Sequence, residues 1–172
     1  MKRQILIGCC VALLAGCGGN DGPGDSGLCQ PIGGGGGTVT TSPGTGASFS
    51  NADKVFDGDL NSSGSVSGLG LGNSSIQGTA QSGVVVAQGL VAGILIDRDA
   101  QSFDNLHLTI TTFLDGVQAD TGLAVSTSSR DGFGFFGIMT TQPYDAIRAT
   151  FTTGQNAGSV TLYELCVADF SS

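Results

Sequence analysis

The sequence predicts an all-β protein built as an antiparallel β-sandwich. Helix signals are weak, because glycine recurs every few residues. No window of about eleven or more residues places apolar residues at helical spacing. Strand signals are frequent, since short apolar or alternating runs are separated by glycine and by Asn or Asp turns. From Ala47 to Asp169 the chain offers about 120 residues, enough for one domain with a hydrophobic core.

The predicted strands lie in the second half of the chain. "SGVVVAQGLVAGILID" holds two apolar, β-branched runs, and "NLHLTITTFLDG" alternates apolar with polar residues. "YDAIRATFTT" and "GSVTLYELCVAD" alternate in the same way. The residues expected to face the core in the last two strands are Ile147, Ala149, Phe151, Val160, Leu162 and either Glu164 or its neighbours.

The first residues have the layout of an export signal. Lys2 and Arg3 precede an apolar run, residues 5–15, that is too short to cross a bilayer as a helix. The run closes on "LAGC", which resembles the lipobox of bacterial lipoproteins. The resemblance implies that residues 1–16 are removed and that Cys17 carries the lipid, palmitate included. An ordinary signal peptide, cut at a small-x-small site, is the alternative.

The same resemblance implies a location. Several acyl chains on one cysteine anchor a protein stably, where a single chain would not. Gly18 follows Cys17, and it is not the aspartate that retains some lipoproteins in the inner membrane. We therefore expect a protein of the bacterial cell envelope, anchored in the outer membrane if the cell has one.

The mature chain is strongly acidic. All fourteen acidic residues lie beyond Cys17, together with four basic ones, so four minus fourteen leaves a net charge of -10. Such a surface repels phosphate backbones, which excludes nucleic acid as an expected partner. The acidic residues are scattered singly, a pattern more typical of a solvated surface than of cation binding.

Two cysteines remain in the mature domain. Cys9 and Cys10 leave with the leader and Cys17 is the predicted lipidation site, so Cys29 and Cys166 are predicted to form one disulfide. Two unpaired thiols are the alternative. Zinc is a remote one, because neither cysteine has a second cysteine or a histidine at ligand spacing.

Residues 17–46 are predicted to form a flexible tether and residues 47–172 the sandwich domain. The tether is rich in glycine, serine, threonine and proline and has almost nothing to bury. A disulfide at Cys29 would tie part of it to the domain. We therefore expect a strap from Cys29 to cross the body before the five glycines of residues 33–37 release the chain.

Two stretches carry a family resemblance. "NADKVFDGDLNSSG", residues 51–64, and the two C-terminal strands resemble the ends of the discoidin-like, galactose-binding-like sandwich of coagulation-factor C-type domains and many bacterial carbohydrate-binding modules. The resemblance implies a jelly-roll sandwich, a disulfide between first and last strands, and a binding function. That family normally has a tryptophan soon after the acidic loop, and this sequence has none.

The resemblance also implies a structural calcium ion held by Asp57, Asp59, Asn61 and Glu164. Calcium prefers six to eight hard oxygen ligands, which a loop alternating Asp, Asp and Asn can supply. Glu164 is the only glutamate in the chain and lies in an apolar strand, where a buried carboxylate needs a partner.

Two other interpretations apply to the same loop. The first is an Asx-type turn with an exposed Glu164, since Asp-Gly is a turn signal by itself. The second is an EF-hand, which is excluded. Ser62 stands where its glycine belongs, Gly68 stands where its bidentate glutamate belongs, and no helices flank the loop.

Sugar contacts and catalysis have little support in the sequence. "RDGFGFFG", residues 130–137, is either an exposed aromatic loop or a core strand, and alternation places Phe133 and Phe135 on one face. His107, the only histidine, is expected to be solvated on the polar side of its strand. No nucleophile elbow, metalloprotease motif or phosphate-binding loop is present, so no enzyme is predicted.

Two functions of different classes follow. The first is a non-catalytic module, displayed on a lipid anchor, that binds glycan or another surface ligand with the help of calcium. The second is a structural or interaction domain of the cell envelope that contacts proteins and binds no small molecule.

Overall fold

The computed structural model describes residues 27–32, 36–69, 72–97, 106–130, 132–153 and 158–169. The predicted leader, the predicted lipidation site Cys17 and the first part of the tether lie outside the described residues. Within these ranges no helix is long and apolar enough to cross a membrane.

The regular structure of the described residues is β-strand, apart from one turn of 3-10 helix at Ala52–Val55. The strands are β1 (Gln30–Pro31), β2 (Thr38–Ser42), β3 (Ser48–Ser50), β4 (Gly64–Ser67), β5 (Asn73–Thr79), β6 (Val91–Asp97), β7 (Leu106–Leu114), β8 (Val117–Leu123), β9 (Val125–Arg130), β10 (Phe133–Met139), β11 (Ala146–Thr153) and β12 (Val160–Ala168).

The strands form two antiparallel sheets. The first sheet has the order β3-β4-β12-β6-β10-β9, and β1 pairs with the C-terminal end of β12. The second sheet has the order β2-β5-β11-β7-β8. Buried residues of both sheets belong to one hydrophobic cluster, so the sheets pack face to face. The predicted all-β antiparallel sandwich is confirmed.

The core lies where alternation placed it. Ile147, Ala149 and Phe151 of β11 are fully buried, as are Val160 and Leu162 of β12. Side chains of a strand point alternately to its two sides, so the intervening residues of β11 lie on the outer face of the second sheet. That outer face is mostly polar, and no other strand among the described residues covers it.

The first sheet is buried on both faces. Its outer face carries a second apolar cluster that includes Leu95, Phe135, Cys166 and the incoming segment Leu28 and Cys29. Cys29 and Cys166 are disulfide-bonded, with their Cα atoms 5.8 Å apart, which confirms the predicted pairing. The disulfide holds the start of the described chain against the last strand.

The folded region begins earlier than the predicted boundary at residue 47. Pro31 of β1 pairs with Cys166, and all of β2 pairs with β5 at the edge of the second sheet. β1 belongs to the first sheet and β2 to the second, so the chain is part of the sandwich on both sides of the glycine-rich stretch and, contrary to the prediction from the sequence, is not released into solvent after it. β2 resembles a tether in composition because an edge strand with a solvated outer side needs few apolar residues.

One predicted strand is absent from the structure. The first apolar run of "SGVVVAQGLVAGILID" forms only an isolated bridge, between Val86 and Tyr144. The second run forms β6, the central strand of the first sheet. Both runs are apolar, but β6 alone has neighbours on both edges.

Candidate binding sites

The acidic loop, residues 57–62, is anchored by a buried pair just before it. Val55 and Phe56 are inserted into the core, and the Phe56 ring lies against Gly78 of β5 and against Gly37. A side chain at either glycine would collide with the ring. The loop therefore leaves the core at a fixed position at one end of the sandwich.

Within the loop, the carboxylates accept hydrogen bonds from the backbone two residues ahead. Asp57 Oδ1 accepts the Asp59 N–H at 2.9 Å, and Asp59 Oδ1 accepts the Asn61 N–H at 2.9 Å. These are two successive Asx turns. Gly58 between them has φ +85°, in the left-handed region that favours glycine.

Asp57 has further partners. The Ser62 hydroxyl lies 3.0 Å from each Asp57 carboxylate oxygen, and the Lys54 ammonium donates to Oδ2 at 3.2 Å. Burial by itself would raise the pKa of Asp57. The hydrogen bonds from Asp59, Ser62 and Lys54, with the Lys54 charge, outweigh that effect and hold the pKa below its usual value.

Glu164 lies beneath this loop. One edge of β12 is paired by β4 at residues 160–162 and by β1 at residues 166–167, and Glu164 lies at the gap between them. On the other edge it stands opposite Leu95, after a bulge that follows Leu162. Directly paired residues share a face, so Glu164 points to the outer side of the first sheet.

The Glu164 carboxylate is buried without a partner. Its side chain is 0% exposed, and neither oxygen makes a hydrogen bond of ordinary geometry within the described residues. Burial raises its pKa to about 8, helped by the charges of Asp57 and Asp59, while the nearby backbone N–H groups of Gly58 and Asp57 offset part of the rise. Without a cation, Glu164 is therefore mostly protonated at neutral pH.

These contacts bear on both interpretations of the loop. The Asx turns are present, but Glu164 is fully buried, so an Asx turn with an exposed glutamate does not describe the site. The candidate ligand atoms are all hard oxygens, and the Glu164 carboxylate makes no hydrogen bond of ordinary geometry within the described residues, which fits calcium chemistry. Asp57 is meanwhile held by Lys54 and Ser62, and the described residues contain no group of three or more acidic, His or Cys side chains arranged around a common metal position.

The aromatic stretch is part of a strand. Phe135 is fully buried in β10, and Phe133 packs edge-on against Tyr163 with ring centroids 5.2 Å apart. Phe136 packs against the core between the sheets. The core interpretation of "RDGFGFFG" is therefore the one that the structure supports; Asp131 lies outside the described residues. His107 is exposed on β7, as expected.

The outer face of the second sheet carries a site that the sequence analysis missed. Its register aligns one residue from each strand in a single row across the sheet: Thr40, Gln77, Arg148, Thr111 and Thr121. Strands about 4.8 Å apart make this row about 19 Å long. Alternation does mark these residues as outward-facing, but which strands neighbour one another is not visible in the sequence.

Arg148 is the centre of this row. Its Nε and Nη2 groups donate to Gln77 Oε1 at 3.0 and 2.7 Å, and its guanidinium carbon lies 4.5 Å from the centroid of the Phe113 ring. The Gln77 amide is oriented in turn, because its Nε2 donates to Thr79 at 3.2 Å. An open groove of about 220 Å³ lies beside Arg148, lined also by Thr40, Thr41, Ser42, Ser75 and Gln77.

A larger depression, of about 380 Å³, lies at the β7–β8 hairpin. Leu114, Val117 and Pro143 line it together with the amides of Gln118 and Gln142, and none of the described side chains that line it is charged. A selective polar ligand needs a few well-placed polar groups. The groove beside Arg148 offers a charged guanidinium together with four hydroxyl side chains, and it is the better candidate in spite of its smaller volume.

Comparison with known proteins gives a fold likeness only. No protein-family model matches the chain, and no curated protein matches it in sequence. Chitosan-binding module 1 of a chitosanase/glucanase from Paenibacillus sp. IK-5 is similar in structure, with 21% identity and a TM-score of 0.45 over 76% of this chain and 93% of that one.

Two further solved structures are similar at the same level. The family 32 carbohydrate-binding module of C. perfringens NanJ, in complex with galactose, has 18% identity and a TM-score of 0.46, over 76% of this chain and 92% of its own. A pectin-binding module has 18% identity and a TM-score of 0.43, over 78% and 91%. Likeness at this level concerns the sandwich and says nothing of what the present chain binds.

Proposed function

We propose that this protein is a lipid-anchored envelope lipoprotein whose sandwich is a non-catalytic glycan-binding module. The observation that carries the glycan proposal is the uncovered outer face of the second sheet, with its rows of hydroxyl and amide side chains. Hydroxyl groups both donate and accept hydrogen bonds, as sugar hydroxyls do. A face of this kind has no role in the core, and no other strand among the described residues covers it.

Glycan binding is tested with the full chain, purified in mild detergent and applied to an array of neutral and acidic polysaccharides. We expect saturable binding to at least one polymer, and loss of that binding when Gln77 is replaced by alanine. A control variant, Gln30→Ala, alters an exposed amide on β1, in the other sheet. Binding that is absent from every polymer would contradict the proposal.

We propose further that calcium binds between the acidic loop and Glu164, with Asp57, Asp59 and Asn61 as the other ligands. The unpartnered, buried Glu164 carboxylate supports this, because a cation would both pair it and offset the two loop charges. The ion would hold the loop against β12. It takes no part in any chemical step.

Calcium binding is tested by thermal melting with calcium and with chelator. At a hundredfold excess over its dissociation constant, calcium should add about 2.7 kcal/mol to the free energy of unfolding. Glu164→Gln and Asp57→Ala should lose this gain, whereas Asp53→Asn, which removes an exposed charge beside the loop, should keep it. A gain of equal size in all four proteins would place the calcium elsewhere.

A structural or interaction domain remains the second candidate, and a specific observation favours it. Val117, Leu123, Val125 and Met139 are 59 to 70% exposed, on or beside the outermost strands β8 and β9. Leu123 and Val125 are two positions apart where β8 meets β9, and contiguous exposed apolar surface is typical of protein contacts. Crosslinking in intact cells that depends on Leu123, together with no binding to glycans, would favour this function over the first.

A further inference from the structure

From the groove beside Arg148 we infer that the glycan bound by this module is an acidic one, whose sugar carboxylate pairs with the Arg148 guanidinium. This inference rests on the proposed glycan-binding function and names the ligand class of the same face. The ligand would be a polyuronate or another polysaccharide that carries carboxylate groups.

The first observation is that Arg148 lacks a carboxylate partner. Among the side chains that the structure describes, it makes no ion pair, whereas Lys54 is paired with Asp57. None of the described residues that line the groove is acidic. An acidic protein could readily have neutralised an arginine on its surface, so an arginine left unpaired beside a groove is available to an anionic ligand.

The second observation is which donors Arg148 still offers. A guanidinium has five N–H donors, and two of them, on Nε and Nη2, are directed at Gln77. Five minus two leaves three N–H donors, two on Nη1 and one on Nη2. One N–H of Nη1 and the remaining N–H of Nη2 point in parallel from the end of the guanidinium. That end matches the two oxygens of a carboxylate, which is the bidentate geometry that arginine favours over lysine.

The third observation is that the guanidinium is held in place before any ligand arrives. Gln77 accepts hydrogen bonds along one edge of the guanidinium, and the guanidinium carbon lies over the Phe113 ring, 4.5 Å from its centroid. A side chain held in this way loses less conformational entropy on binding. The hydroxyl groups of Thr40, Ser42 and Ser75 line the same groove and can bond the sugar hydroxyls beside the carboxylate.

The test compares two forms of one polymer. The full chain in mild detergent is titrated with oligogalacturonide and with its methyl ester, which has the same backbone but no carboxylate charge. We expect at least tenfold tighter binding of the acid form. Arg148→Gln should weaken binding of the acid form by about ten- to a hundredfold, the loss of one charge-assisted contact, and leave the ester unaffected. Arg148→Lys keeps the charge but loses the pair of parallel N–H donors, so its affinity for the acid form should lie between those of the wild type and Arg148→Gln.

A second variant separates recognition from folding, since Arg148 also packs on Phe113. Thr40→Glu alters an exposed position on the edge strand and places a carboxylate within the groove. It should abolish binding of the acid form by pairing with Arg148, with an unchanged melting temperature. If Thr40→Glu binds the acid form as well as the wild type does, Arg148 is not the contact and the inference is wrong.

The outcomes separate this inference from the proposed function. Equal affinity for the acid form and the ester, or binding of neutral polymers alone, would overturn the acidic ligand and leave glycan binding standing. Binding of dextran sulfate as tight as that of the acid form would reveal general anion attraction and would also overturn it. Absence of binding to every glycan would overturn both.

Discussion

Raising the pH should destabilise the calcium-free protein between pH 5 and pH 7, because of Glu164. Its pKa is raised to about 8 in the folded state, against a reference value of 4.5. Between these two values the folded state keeps a proton that the unfolded chain has released. The free energy of unfolding therefore falls as pH rises, by at most about 1.4 kcal/mol per pH unit, or about 3 kcal/mol over this range.

Among the described carboxylates with a shifted pKa, only Glu164 changes its contribution to stability between pH 5 and pH 7. The pKa of Asp57 is lowered, and so is that of Asp120, where hydrogen bonds from Thr141 and Gln142 outweigh the effect of burial. The stability that these two contribute is lost only as pH falls through their own low pKa values. Glu164 is fully buried, so its contribution needs no reduction for solvent screening.

The assay is urea unfolding of the full chain at pH 5, 6 and 7 with chelator present. The free energy of unfolding of the wild type should fall by about 3 kcal/mol over this range. A loss of that size corresponds to a fall of about 6 to 12 °C in melting temperature. Glu164→Gln should show a flat profile, because an amide does not titrate. Asp53→Asn, a control that removes an exposed carboxylate, should keep the wild-type slope.

Calcium adds a second arm to the same assay. If the ion binds Glu164, the carboxylate stays ionised in the folded state, and the fall in stability between pH 5 and pH 7 should disappear in calcium. Equal slopes for wild type and Glu164→Gln in chelator would refute the reasoning, since Glu164 would then not be the group that titrates. A slope unaffected by calcium would refute the proposed ligand.

Three further predictions concern the sandwich itself. Replacing Cys29 and Cys166 together by alanine should cost roughly 4 to 5 kcal/mol on the chain-entropy model, because the disulfide closes a separation of 137 residues; urea unfolding measures it, and a loss near zero would contradict that model here. Gly78→Ala should cost about 1 to 3 kcal/mol by forcing the Phe56 ring away from β5, and an unchanged melting temperature would show that the ring can move freely. Phe151→Ala should cost about 3 to 5 kcal/mol, being fully buried between the sheets, and a cost below 1 kcal/mol would place it outside the core.

The sequence predicted the strands best where their pattern was local. In β11 every second residue, from Ile147 to Phe151, is apolar, and each of these is buried. A strand that buries one face needs only its own alternation to be recognised. β2 was missed because its "TVTTS" has a single apolar residue, and its place in the sheet depends on pairing with β5.

The predicted calcium ligands show where such reasoning stops. The spacing of Asp57, Asp59 and Asn61 is local, and the turns it implies are present. Whether Glu164 is buried or exposed was an open alternative, because β12 carries a bulge and its outer side is covered by distant parts of the chain. In a sheet that is buried on both faces, the alternation of side chains cannot tell whether Glu164 is buried or exposed.

By itself, then, the sequence determined the all-β class, the core side of β11, the pairing of Cys29 with Cys166 and the turns of the acidic loop. Only the tertiary structure decided that Glu164 lies buried beneath that loop and that Arg148 lies beside Gln77, 71 positions away, in one row across five strands. The physical reason is that side-chain alternation and Asx turns depend on residues a few positions apart. The order of strands in a sheet depends on how the whole chain buries its apolar faces.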